Sequence, residues 1–155
     1  AKGLEFPVVF IVGLVRSLRL GLLAMVPNLW PLLVTLGTMG FLDVPIRAST
    51  IIVFSVALGI AVDDTTHFVH RYREEVQKDG EGAAAIRRTV AATGRPIVLT
   101  SIILVAGFLV NGLSDFAAIV EFGMLSAVTL GLALVTELFL TPALLLLAKG
   151  KLGRL

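Results

Sequence analysis

Two carboxylates stand side by side in an otherwise apolar stretch, Gly59-Ile60-Ala61-Val62-Asp63-Asp64. Placing one aspartate at the centre of a membrane helix costs about 2.5–3.5 kcal/mol, so such a residue marks a site where charge or protons are handled. A buried carboxyl near a second one favours its protonated form. At least one of Asp63 and Asp64 can therefore take up and release a proton near neutral pH, which is what a proton relay needs. Neighbouring positions on a helix point about 100° apart, so the two acids can face different partners. Gly59 lies one turn before Asp63 on the same face, where the missing side chain admits a close neighbouring helix. His67 lies one turn after Asp63 and can share its proton or fix its orientation. A plainer reading makes the pair the wet end of an apolar segment, since His67, His70 and Arg71 follow. Phe68 and Val69 continue the apolar pattern past the acids and favour the relay.

Other polar groups in apolar surroundings extend the candidate set. Thr100 and Ser101 can pass or stabilise a proton if they face the acids, although hydroxyls in membrane helices usually bond their own backbone. Glu137 sits between Val135 and Leu138, with Leu140 beyond, and should face a bundle interior. Pro142 is expected to bend that helix. The segment Pro27-Asn28-Leu29-Trp30-Pro31 reads as a structural kink, with Asn28 satisfying a backbone group freed by the prolines and Trp30 packing on a neighbouring helix.

Several chemistries are not encoded. The chain has no glycine-rich phosphate loop followed by lysine and no His-Glu-x-x-His pattern. It has no Gly-x-Ser-x-Gly elbow and no cysteine. His67 and His70 lack further ligands at useful spacing, so no metal site is expected. We therefore expect no enzyme and no cofactor. The basic segments lack interleaved aromatics, which argues against nucleic acid as a partner.

The elements that must position these residues are membrane spans. Of 155 residues, 57% are hydrophobic and 15% are charged, too little charge to cover a soluble domain of this size. Apolar segments at 4–15, 20–42, 48–69, 96–113 and 119–148 predict five transmembrane helices, the first reading as the remainder of a longer one. Lipid offers no hydrogen bonds to the backbone, and strict alternation is absent, so the fold class is all-α, a polytopic membrane helix bundle. The whole chain reads as one transmembrane domain. All of its 13 lysines and arginines except Lys2 and Arg47 fall near Arg16, in the linker 71–95, or in the tail after Ala148. These segments share one side if every span crosses, and their positive charge assigns that side to the cytoplasm of an inner, cytoplasmic membrane. Within the linker, Ala83 to Ala91 forms a helical apolar strip flanked by Arg87 and Arg88. It predicts a short interfacial helix ended by Gly94, with Pro96 opening the next span.

At this point the residues resemble a known family. Arg16-Ser17-Leu18-Arg19-Leu20-Gly21 with Pro27 to Pro31 resembles the junction of the second and third spans in one half of an RND (resistance–nodulation–division) transporter. Gly59 to Asp64, continuing Thr65-Thr66-His67-Phe68-Val69-His70-Arg71-Tyr72-Arg73, resembles the acidic helix of the MmpL-like and hopanoid-exporter branch. It is also similar to the helix of sterol-sensing domains. Thr93 to Phe108, Ser114-Asp115-Phe116 and Phe122-Gly123 resemble the two spans after it. The resemblance covers nearly the whole chain. It implies the last five spans of one half, the C-terminal half on the strength of the short basic tail. The partners it implies are the other half, the extracytoplasmic domains, membrane lipids and further copies of the protein. It also implies export of lipids or other hydrophobic molecules driven by proton antiport, with Asp63 and Asp64 matching the family's acids. No span contains lysine, a departure from multidrug pumps that favours the lipid-exporter branch. Two other readings stay open: a lipid- or sterol-sensing or protein-binding membrane module without energised transport, and a Sec-type translocation accessory. The substrate is not legible, because the domains expected to select it are not in this chain.

Overall fold

The computed structural model describes residues 18–79 and 83–152, with side chains for 25–78 and 83–147. The first expected span, at 4–15, and the basic residues Arg16 and Arg154 lie outside the described residues. Four long helices account for nearly all of the rest: α1 (Leu18–Phe41), α2 (Ala48–Asp79), α3 (Ala83–Val110) and α4 (Ala117–Leu152), with a 3-10 turn at Asn111–Leu113. The all-α expectation holds. Helices α2, α3 and α4 are each long and apolar enough to cross a membrane, and Met25–Phe41 of α1 forms a shorter apolar helix. Prolines at 27, 31, 96 and 142 all lie inside these helices. Neighbouring helices and local adjustment make that tolerable in a membrane bundle.

Helix α4 is the hub and packs against α1, α2 and α3. Between membrane helices the apolar environment gives little drive to associate, so close approach by small residues and shared hydroxyls must supply it. The buried set fits that requirement: Ala57, Ala61, Ala85, Ser126 and Ala127 are all buried, as are Thr35 and Thr129. The Thr35 and Thr129 hydroxyls meet at 2.9 Å between α1 and α4. Gly123 marks the tightest crossing. A Cβ there would stand 2.5 Å from the Phe108 carbonyl and 2.5 Å from Asn111 Cβ, so only glycine lets α4 pass the end of α3. In the turn between α1 and α2, Asp43 takes a left-handed conformation (φ 52°), which aspartate tolerates better than most residues.

The segment 71–95 differs from its expected form. The apolar strip of Ala83 to Ala91 is not a separate helix but the first turns of α3, which runs unbroken through Gly94 and Pro96. Two contacts explain this. Ala85 and Ile86 are buried, and Ile86, Ile97, Phe68 and Leu145 form one core with Val90, Tyr72 and Leu134 against it. The strip therefore faces protein. On the polar side, buried Glu75 of α2 receives Arg71 at 2.9 Å, Lys78 at 3.1 Å and Arg88 of α3 at 2.8 Å. Gly94 is buried against Val90 and Leu138 instead of ending a helix. At the opposite end of the bundle, Arg47 pairs with Glu121 at 2.6 Å.

Candidate functional site

Helix α2 carries an exposed stripe of Ile52, Val56, Gly59, Asp63, His67 and His70. The steps of three and four residues put these on one face. Beside it, α2 and α3 enclose a groove of about 350 Å³. Asp63, Asp64 and His67 line it from α2, and Thr93, Pro96 and Thr100 line it from α3. His67 Nε2 lies 3.6 Å from Asp63 Oδ1, and both side chains are 73% exposed. Asp64 is half-buried, so the expected divergence of the two acids is realised. The Thr100 hydroxyl faces the same groove but donates to its own helix, to the Ile97 carbonyl at 3.0 Å and the Pro96 carbonyl at 3.1 Å. Pro96 has no N–H, so the carbonyl of Ala92, which also lines the groove, receives no helical amide from it. Carboxylates, an imidazole and a spare carbonyl together can hold and exchange protons or order water.

Two sequence candidates fall elsewhere. Ser101 is buried and does not line the groove. Glu137 is in the bundle interior, as its apolar flanks predicted, with 4% of its surface exposed. Its Oε2 lies 2.8 Å from Thr65 Oγ1 and accepts from Thr141 Oγ1 at 3.0 Å. The same Thr65 hydroxyl is 2.7 Å from Asn28 Oδ1. The structure thus divides the expected relay into an open groove and a closed cluster, joined by the neighbouring residues Asp64 and Thr65 on α2.

Three expectations are corrected. Gly59 is exposed, and a Cβ added there would meet nothing within 4 Å, so packing among the described residues does not use it. Asn28 does not serve the backbone freed by the prolines; its side chain turns into the interior and joins Thr65. The carbonyl of Pro27, which Pro31 cannot serve, is approached instead by Thr136 of α4 at 3.3 Å. Trp30 is 55% exposed, not packed among the described residues. The partners Thr65, Thr141 and Asn28 were missed. Thr141 had a signal, one turn after Glu137 on the same face, and Thr65 directly follows the acid pair.

Comparison with known proteins then decides the family. The MMPL family matches residues 7–155. The chain belongs to the MMPL family. A protein of Methanocaldococcus jannaschii, whose name assigns it only to the membrane, is 32% identical over 126 residues, covering 81% of this chain and 32% of that protein. The trehalose monomycolate exporter MmpL3 of Mycolicibacterium smegmatis is 42% identical over 55 residues, covering 36% of this chain and 5% of that protein. A protein of Mycobacterium leprae, named as a probable exporter of the same compound, is 34% identical over 104 residues, 63% of this chain and 10% of that protein. This MMPL chain therefore spans about a third of the archaeal relative and a tenth or less of the mycobacterial ones. No solved structure matches it. It is an MmpL-like, multi-pass membrane region of the RND superfamily.

Proposed function

We propose that this MMPL chain is the transmembrane part of one half of a proton-motive-force-driven exporter of lipids or other hydrophobic molecules. One observation carries the reading: an acid pair in an apolar helix opens into a groove with one carboxylate largely exposed. A charged group in an apolar membrane helix needs water or further protein against it. The exposed stripe through Gly59, Asp63 and His67 suits the other half of the transporter, and the relatives named as exporters support the direction of function. Asp63 and Asp64 carry the proton, His67 and Thr100 share their groove, and Ser101 and Glu137 are supporting positions. Protonation removes the charge that keeps the groove walls wet. It can drive a cycle only if the proton binds two arrangements of the helices with different affinity. The substrate is chosen outside this chain, in the extracytoplasmic domains.

In the full-length protein, Asp63→Asn and Asp64→Asn each abolish export while membrane insertion and expression stay normal, because asparagine is similar in size and cheaper to insert. Near-normal export in both variants contradicts the reading and returns the pair to a wet helix end. In this reading the segment 71–95 lies on the cytoplasmic side of the inner membrane. The pairing of Arg47 with Glu121 supports this, because it offsets the one basic residue of the loops on the other face. With an impermeant thiol reagent on intact cells, Asp115→Cys labels and Lys78→Cys does not; the reverse pattern inverts the orientation.

A further inference from the structure

The interior cluster holds more close contacts than its protons can serve in one arrangement. Thr65 Oγ1 is 2.7 Å from Asn28 Oδ1 and 2.8 Å from Glu137 Oε2, and both of those atoms are acceptors when the glutamate is ionised. A threonine hydroxyl has one proton and cannot point it along both lines. Thr141 spends its own proton on Glu137 Oε2 at 3.0 Å. Thr65, Thr141, Asn28 and Glu137 are all buried. Among the described residues, Glu137 Oε1 and Asn28 Nδ2 have no hydrogen-bond partner. An unmet buried contact of this kind costs about 1–3 kcal/mol, so the cluster has reason to rearrange when its proton count changes.

Two arrangements that satisfy both short contacts differ in whether Oε2 carries a proton. With Glu137 ionised, Thr65 donates to Oε2, and the Asn28 amide must turn so that Nδ2 donates to Thr65 Oγ1. With a proton added to Oε2, Glu137 donates to Thr65 Oγ1, and Thr65 donates to Asn28 Oδ1. The two arrangements differ by that one proton and by the amide orientation. The oxygen and nitrogen of an asparagine amide are nearly the same size, so the turn needs little space. The amide faces Thr65 through Oδ1 here. We propose that Glu137 binds a proton in the bundle interior and that Thr65 converts its arrival into a turn of the Asn28 amide, between Pro27 and Pro31 of α1.

This deepens the supporting place given to Glu137 and goes beyond it by assigning Thr65 and Asn28 as positioning residues. The charged groups around the cluster are few. Residues 25–41 of α1 contain none, and residues 96–110 of α3 contain none. From α2, Asp64 is the ionisable neighbour whose charge reaches Glu137. Within α4, Glu137 is the one charged residue between 122 and 147.

The test is infrared difference spectroscopy on the full-length protein in lipid vesicles, stepped between acid and alkaline pH. In the wild type, a carboxylic-acid C=O band disappears on raising the pH, and an asparagine side-chain amide band shifts with it. Glu137→Gln removes both changes, and Asn28→Ala removes the amide shift alone. Thr65→Val keeps the carboxyl change and loses the amide shift, and Thr65→Ser restores it. A carboxyl change with no amide shift in the wild type overturns the coupling, and no band sensitive to Glu137→Gln overturns the proton site. If Thr65→Val does not fold, a folded Thr65→Ser without the amide shift also overturns the coupling. Export assays on Asp63 and Asp64 variants are independent of these spectra, so failure there leaves this result intact and the reverse holds as well.

Discussion

The open groove and the closed cluster use the same chemical groups, carboxylates and threonine hydroxyls, in opposite ways. In the groove, Asp63 is exposed and Thr100 spends its hydroxyl on its own helix. In the cluster, Glu137 is buried and takes Thr65 and Thr141, while Thr65 also meets Asn28 from a third helix. A carboxylate with few internal partners is free to exchange with solvent or a partner surface. One with several partners is tied to the packing around it. Structural cost and functional cost should therefore separate between the two regions.

The largest expected effect on stability is at the cluster. Glu137→Ala strands the Thr65 and Thr141 hydroxyls in the interior and lowers the stability of the purified protein by about 3 kcal/mol. Asp63→Ala leaves it unchanged within ~0.5 kcal/mol. Unfolding in detergent compares them, and equal losses would erase the distinction between the regions. Next come two residues of α2 close in sequence. Ala57 is buried and Gly59 is exposed, so Ala57→Leu overpacks the bundle at a cost of about 1–3 kcal/mol. Gly59→Leu spares the fold and, if the stripe meets the other half as proposed, impairs export of the full-length protein. A larger loss of folded protein from Gly59→Leu than from Ala57→Leu would show that the stripe packs within this chain. A smaller loss is expected from Thr141→Val, which removes one of the two hydroxyls beside Glu137 Oε2 while keeping its shape. It costs about 1 kcal/mol, measured in the same unfolding experiment, and a neutral result would make Thr65 the sole partner that matters.

The helical fold and the acid pair were legible because each rests on local pattern. Apolar length reports a span, and a charge inside it stands out. The inward face of Glu137 was legible for the same reason. What failed depended on the neighbours of a residue. Gly94 and Pro96 read as a helix boundary, yet packing of Ile86 and Ile97 on Phe68 and Leu145 carries α3 straight through. Asn28 read as a repair to a proline kink, because nothing in Pro27 to Pro31 reveals that Thr65 lies opposite. Gly59 read as a contact point from its face alone, yet that face is exposed among the described residues. The cluster of Glu137, Thr65 and Asn28 joins positions 72 and 37 residues apart, beyond the reach of any periodicity.

Proton flow through the groove can be measured directly in vesicles that contain the full-length protein, an imposed pH gradient and a pH-sensitive dye. Wild-type protein with transportable substrate present should dissipate the gradient faster than empty vesicles. Asp64→Asn and Asp63→Asn should each return the rate to that of empty vesicles, with equal protein incorporated. Gradient dissipation in both variants at the wild-type rate would contradict the assignment of the pair as proton carriers.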